Sequence, residues 1–361
     1  MSSRLFTPIE LSGLGLANRV VVAPMCQYSA NDGTMNDWHL ANLGQFAMSG
    51  PGLIIIEATG VEPAGRITHG CTGLYSDENE AAMKRVVDFC KSVGHSKIGV
   101  QLGHAGRKAS SQRPWEGGNA LSADSSMSEA AWQTFAPSAI PFAEGWHTPE
   151  ALDDDGLTRI KEGFVSAAKR AVRMGIDAIE LHAAHGYLFH QFLSPISNQR
   201  DDAYGGSLEN RMRYPLEVFA AVKAVVPAKM PVLVRVSASD WVDGGWDVLQ
   251  TIEFAKALDA AGCASIHVSS GGNSMAQKID IGYGYQTDLA KQIRDEVKMP
   301  VIAVGMITDP LQAETIIRTG QADLVALARE FLRDPRWTWR AAQALRSTSS
   351  VPNQYARAVS F

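Results

Sequence analysis

Long runs of one charge are absent from this chain. Thirty-three Lys and Arg stand against 38 Asp and Glu, a net charge of −5. The densest basic stretch, Arg107, Lys108 and Arg113, is too sparse to track a phosphate backbone, which argues against nucleic acid or an anionic membrane as the main partner. Only four cysteines occur, Cys26, Cys71, Cys90 and Cys263. No two have the CxxC spacing of a zinc or redox site, and a chain of 361 residues can build a core without staples. A reduced, cytoplasmic setting is expected. Residues 1–8 lack the charged start and apolar core of a secretory signal, and the apolar runs are of strand length, too short to span a membrane. Neither GxGxxG nor GxxxxGK[ST] occurs, so the phosphate-loop signatures of doubly wound sheets are missing.

What is present is an alternation. Apolar, β-branched runs fall at residues 19–23, 53–57, 98–102, 178–181, 232–236, 265–268, 301–304 and 324–327. Near-continuous apolar runs suit parallel strands covered on both faces. Longer amphipathic stretches lie between them, at 80–93, 158–174, 247–261, 287–297 and 310–319. Gly94, Gly175, Gly262 and Gly320 read as left-handed stops after the helices. Eight strand–helix units predict a closed α/β barrel, the (β/α)8 or TIM type, as one domain over 1–361. Between strand three and its helix lies an insertion at about 103–155, rich in Ser, Pro, Gly and Trp, which is read as a cap over the barrel mouth. Pro215 falls inside the helix that opens near Ser207, so that helix either kinks or starts in two pieces.

In such a barrel the residues just after each strand share one mouth. Strand four ends in His182-Ala183-Ala184-His185-Gly186-Tyr187. Two imidazoles able to donate to one ligand oxygen, with a phenol to deliver a proton, suit the reduction or enolisation of a carbonyl compound. Strands six to eight contribute Ser270, Gly271, Gly272, Gly305, Ala328 and Arg329, where barrels often bind phosphate. Gln101 and Arg235 offer an amide and a fixed cation for the polar edge of a planar heterocycle. A phosphorylated, ring-bearing cofactor fits this set, and flavin mononucleotide (FMN) is such a group.

Further stretches stand in order: Ala23-Pro24-Met25-Cys26-Gln27-Tyr28, Gln101 to Lys108, Asn198 to Arg211, Arg235 to Asp240, and Val304-Gly305-Met306-Ile307-Thr308. With the strand-four motif they resemble the Old Yellow Enzyme family of flavin-dependent ene-reductases, specifically its thermophilic-like branch, over essentially the whole chain. The resemblance implies tightly bound FMN and a transient NAD(P)H reductant, with NADPH favoured. It places Ala23, Pro24, Met25, Cys26, Ala58, Gln101 and Arg235 around the isoalloxazine ring. It places Ser270, Gly271, Gly272, Gly305, Ala328 and Arg329 at the phosphate. His182 and His185 would bind the activating oxygen of an activated alkene, Tyr187 would donate the proton, and Tyr28 would be a second phenol over the ring. Cys26 would tune the flavin, and Arg357 would reach into a partner subunit's site. That makes a homodimer or homotetramer the expected assembly, with 335–361 at the interface. Where the branch often has Ser and Gly, this chain has Ala23 and Ala328, so altered flavin affinity or potential is expected without loss of binding.

Plainer readings stand beside these. His182 and His185 alone also suit structural or zinc-ligating histidines, although zinc needs a third protein ligand and no metal is assigned. Arg107 and Lys108 read as solvated charges, one of them guarding the nicotinamide path. Trp241, Trp246, Trp337 and Trp339 read as packing residues. Rival functions are another FMN barrel, a metal-dependent hydrolase, and a non-catalytic binding protein.

Overall fold

The computed structural model describes residues 3–122 and 130–359. Two short antiparallel strands open the chain, β1 (Ile9–Leu11) and β2 (Leu14–Leu16). The apolar runs follow as β3 (Val20–Val22), β4 (Leu53–Gly60) and β5 (Lys97–Gly103). After the insertion's own pair, β6 (Phe135–Ala136) and β7 (Glu150–Ala151), come β8 (Ala178–Ala183), β9 (Val232–Ser237), β10 (Ile266–Ser269), β11 (Val301–Val304) and β12 (Leu324–Leu327). The eight long-range strands are parallel and run β3-β4-β5-β8-β9-β10-β11-β12, with β12 returning to β3. The closed barrel expected from the alternation is the one observed.

The helices are α1 (Asp37–Ala47), α2 (Asp77–Val93), α3 (Asp154–Arg173), α4 (Leu188–Leu193), α5 (Leu208–Val225), α6 (Val248–Ala260), α7 (Thr287–Arg294), α8 (Pro310–Arg318), α9 (Arg329–Arg333), α10 (Trp337–Ala344) and α11 (Ala356–Val359). Five of the barrel helices start where Ser76, Asp153, Ser207, Asp247 and Asp309 accept amides of the first turn through their side chains. That satisfies donors a helix start would otherwise leave bare. None of the helices among the described residues is long and apolar enough to cross a membrane.

The pleat sorts each strand into two apolar layers. Val20, Val22, Ile54, Ile56, Ile179, Val234 and Val325 pack outward in one cluster with helix residues such as Phe164, Phe219 and Phe254. Val21, Leu53, Ile55, Ala178, Leu233, Ile302, Leu324 and Ala326 form the second cluster inside the barrel. Leu11 and Leu16 of the β1–β2 hairpin join that inner cluster, so the hairpin plugs the barrel floor. Sequence reasoning missed the hairpin because two three-residue strands carry too short a pattern. It missed α1 too, whose run Asp-Trp-His-Leu-Ala-Asn mixes polar and apolar positions.

Gly175, Gly262 and Gly320 adopt the expected left-handed conformation, at φ 75°, 79° and 70°. Gly94 does not. It is extended (φ −148°, ψ 174°) and is required for space, since a Cβ there would run into the carbonyl of Ala47. Pro215 sits within one continuous helix, α5, with no break into two pieces. Trp246 and Trp337 are fully buried packing residues, as read.

Because the neighbour at Gly94 is backbone, it has little room to yield. Gly94→Ala is expected to destabilise the fold by about 1–3 kcal/mol, the range typical of overpacking. The check is a lowered denaturant midpoint at unchanged m-value.

Candidate active site at the barrel mouth

Above the inner apolar layer the strands turn polar. Gln101 on β5, Glu180 on β8 and His267 on β10 meet inside the barrel: Gln101 Nε2 donates to Glu180 Oε1 at 2.7 Å, and His267 Nδ1 lies 2.9 Å from Glu180 Oε2. Arg235 on β9 pairs in register with His182 on one side and His267 on the other. It is buried, and its Nε has no hydrogen-bond partner within the protein. Burial lowers its pKa, while Glu180 acts to raise it.

The strand-four motif forms one tight turn. The imidazole rings of His182 and His185 are 5.1 Å apart and perpendicular, and the Tyr187 ring is 4.9 Å from that of His182. Ala184 N–H donates to His182 Nδ1 at 3.2 Å, which leaves the His182 proton on Nε2. His185 Nε2 is 2.8 Å from Ser269 Oγ. His185 and Gly186 both have positive φ, 58° and 73°, a conformation costly for a residue with a side chain. The turn is held by its surroundings: Ser237 Oγ accepts from His185 N–H, and His190 Nδ1 accepts from Gly186 N–H, each at 2.9 Å. His190 Nε2 in turn lies 2.9 Å from Asp240 Oδ1. Lys108 Nζ ties the His185 carbonyl to the Gly272 carbonyl, at 2.8 and 2.7 Å.

Electrostatically the turn is starved of water and surrounded by cations. Burial, reinforced by Arg235, holds both imidazoles well below their ordinary value. Burial likewise pushes the Tyr187 phenol well above its own. Burial and the neighbouring Arg107 bring Lys108 down to about 7. Arg107 and Lys108 are therefore not the solvated charges expected from sequence. Arg107 is buried and donates to Asn273 Oδ1 and to the Asn273 carbonyl; Lys108 faces the rings of Phe142 and Tyr187.

The loop after β3 is fixed from below. Ala23 is buried, with its N–H on the Leu327 carbonyl; Pro24, Met25 and Cys26 are half-buried. Glu57 Oε2 accepts the Gln27 amide at 2.5 Å, and Glu57 Oε1 faces His39 at 3.2 Å. The neighbouring Cys71 thiol raises the Cys26 thiol, with burial adding to the effect. Tyr28 adopts φ 52° and meets Trp115 edge-to-face at 5.8 Å between ring centres. Ala58, Cys71, His104, His182 and Tyr187 line a narrow cleft beside it. Glu57 and Cys71 escaped sequence reasoning because they support the site from neighbouring strands and loops and carry no motif of their own.

A cavity of about 340 Å³ opens at the ends of β10, β11 and β12. Arg235, Gly305, Ala328 and Arg329 line it together with Ser269, Tyr285 and Arg333. Ser270, Gly271 and Gly272, expected at the phosphate, do not. The Ser270 hydroxyl donates to Gln286, the Gly271 amide to the Ser239 carbonyl and the Gly272 amide to Gln277. The two glycines serve packing instead, for a Cβ on Gly272 would lie 2.7 Å from His185 Cα. Arg357 is exposed on α11 and lines neither cavity of its own mouth. Among the described residues no three His, Cys, Asp or Glu gather as a metal site.

The donor set fits a flavin nucleotide. Arg329 and Arg333 supply cations beside small residues at one end of the cavity, and the buried Arg235 guanidinium, its Nε without a partner, suits a ring's polar edge at the other. These features mark a parallel barrel built for redox chemistry on a flavin. The chain belongs to the NADH:flavin oxidoreductase / NADH oxidase family, the Old Yellow Enzyme family, which matches residues 4–348. It is 43% identical to an NADPH dehydrogenase of Bacillus subtilis, covering 99% of each chain. It is also 43% identical to an NADH:flavin oxidoreductase of Gibberella zeae, covering 98% of this chain and 88% of that one. Among solved structures it is similar to morphinone reductase, with a TM-score of 0.78 at 31% identity over 98% of this chain and 92% of the other. It is thus an NAD(P)H-dependent flavin oxidoreductase with FMN as its cofactor.

Both mouth histidines are expected to stay neutral from pH 8 down through about 6.5, the ordinary imidazole value. Below that value the unfolded chain binds protons that these two do not bind in the folded protein, so they make stability fall as pH falls. Imidazole 15N shifts that titrate between pH 5 and 8 at His182 or His185 would contradict this.

Proposed function

We propose that this flavin oxidoreductase is an ene-reductase, reducing the C=C bond of α,β-unsaturated carbonyl or nitro compounds, with NADPH as its preferred reductant. The observation that carries the reading is the pair of neutral, perpendicular imidazoles at the mouth with a proton-bearing phenol beside them. FMN, held at the mouth, would supply hydride-transfer chemistry between a nicotinamide and an activated alkene. The name of the Bacillus subtilis relative, NADPH dehydrogenase, supports NADPH as that donor, and a structure of morphinone reductase with tetrahydroNAD supports a nicotinamide donor in general.

His182 donates to the substrate oxygen through Nε2, because its Nδ1 is occupied by the Ala184 amide. His185 donates through Nδ1 when the Ser269 hydroxyl donates its hydrogen bond to Nε2. Two donors on one oxygen stabilise the negative charge that develops there. Tyr187, whose phenol keeps its proton, acts as general acid toward the α-carbon. Ala23, Pro24, Met25, Cys26, Ala58, Gln101, Arg235 and Tyr28 would hold the ring, and Gly305, Ala328 and Arg329 would hold the phosphate. Of the insertion read at 103–155, the described residues 103–122 and 130–155 cap the mouth, while 123–129 lie outside the described residues; Phe142 over Lys108 and the Trp132 indole on the Ala64 carbonyl support that role. Arg357, free of its own mouth, completes a partner's site in a homodimer or homotetramer.

The experiment is an anaerobic titration followed by visible absorbance. The flavin band bleaches with NADPH and returns with 2-cyclohexenone if the reading is right; a band that bleaches and stays bleached removes the ene-reductase assignment. His182→Ala is expected to slow enone reduction by about 10²–10³-fold, as loss of one such donor commonly does, while FMN stays bound. Tyr187→Phe is expected to slow the oxidative half-reaction and leave reduction by NADPH unchanged; equal oxidative rates in stopped flow would take Tyr187 out of the mechanism.

A further inference from the structure

We propose that Glu180 is a positioning residue for the flavin ring: inside the barrel its buried carboxylate sets which way the Gln101 amide faces and balances the charge of Arg235. The inference rests on Gln101 and Arg235 being the side chains that meet the ring's polar edge.

Glu180 has no other evident duty. It is buried on the inward face of β8, below His182, and contacts neither cavity. A carboxylate only accepts, so the 2.7 Å contact with Gln101 Nε2 turns the amide's NH2 group toward Glu180. The Gln101 carbonyl oxygen is then left for a ring N–H. A side-chain amide with no such partner can sit either way round, and one of the two orientations sets a donor against a donor. The second oxygen of Glu180 is engaged by His267 Nδ1, which fixes the carboxylate's plane and leaves His267 Nε2 without a partner in the protein.

The same carboxylate acts on Arg235. Arg235 and His267 are direct neighbours across β9 and β10. Burial, then the Arg235 cation, lowers the His267 imidazole, so His267 is neutral and Glu180 is the acidic side chain that stabilises the Arg235 cation. With Glu180 charged, the positive field at the ring's pyrimidine edge is reduced. Without it, Arg235 stands uncompensated, and a ring that gains electron density on reduction is held more tightly in its reduced form. Removing the charge therefore raises the flavin potential, and removing the amide's orientation weakens binding of both forms.

The test uses the holoenzyme. In Glu180→Gln the charge is gone and the shape is kept. The midpoint potential is read by equilibration with a reference dye, and FMN affinity by the return of flavin fluorescence on release. The expected result is a rise in potential equal to about a tenfold shift in the ratio of oxidised to reduced affinity, which is about 30 mV for a two-electron couple. FMN affinity is expected to fall about tenfold, and Gln101→Leu added to Glu180→Gln to cost less than Gln101→Leu alone, the mark of coupled side chains. A folded, yellow Glu180→Gln enzyme with wild-type potential and affinity overturns the inference and leaves the ene-reductase reading standing. If Glu180→Gln does not accumulate folded, His267→Leu decides: it removes the donor that fixes the carboxylate's plane and so loosens the Gln101 amide, so FMN affinity falls, and an unchanged affinity overturns the inference. A wild-type enzyme that reduces with NADPH but fails with enones strikes the ene-reductase reading and leaves this one intact.

Discussion

Between the turn after β8 and the loop after β10 two backbones pass without room for a side chain on either. A Cβ on Gly272 would press on the His185 backbone, and one on Gly186 would meet the Gly272 carbonyl. This contact lets His185 keep a positive φ that it would not adopt alone. Ser237, His190 and Lys108 then hold the turn by its amides and carbonyl. The ring orientations of His182, His185 and Tyr187, and with them the chemistry of the mouth, follow from that fit. The strain is stored at the site and supported by a rigid barrel beneath, the arrangement expected where geometry must survive thermal motion.

Charge is handled in two tiers. Inside the barrel, the cation of Arg235 has the carboxylate of Glu180 nearby and a neutral imidazole at its side. At the mouth, Lys108 faces carbonyl oxygens and aromatic rings, with no carboxylate among its hydrogen-bond partners. Positive charge around neutral donors suits ligands that carry, or develop, negative charge, and it adds to the burial that keeps the two imidazoles unprotonated. The same low dielectric that depresses the histidines strengthens each hydrogen bond they make.

The barrel was legible in the sequence because its strands are buried on both faces. Residues 178–181 and 232–236 are apolar wherever they face helices, and their interruptions, Glu180 and Arg235, mark the polar layer inside. The mouth was legible where a motif carried it, as with His182, His185 and Tyr187. It was less legible where function depends on which amide is free. Ser270, Gly271 and Gly272 looked suited to a phosphate, yet their donors are taken by Gln286, Ser239 and Gln277, partnerships set by loop paths that no local spacing encodes. Arg107 and Lys108 misled for a related reason. Charge predicts exposure on average, but the insertion folds Phe142 and the carbonyls of Ile140 and Pro141 over them.

The hairpin at the start of the chain has a consequence for traffic. With Leu11 and Leu16 wedged into the inner cluster, the barrel is a blind vessel with one doorway. Whatever reaches the polar layer must enter and leave at the strand ends, because the floor offers no second way through.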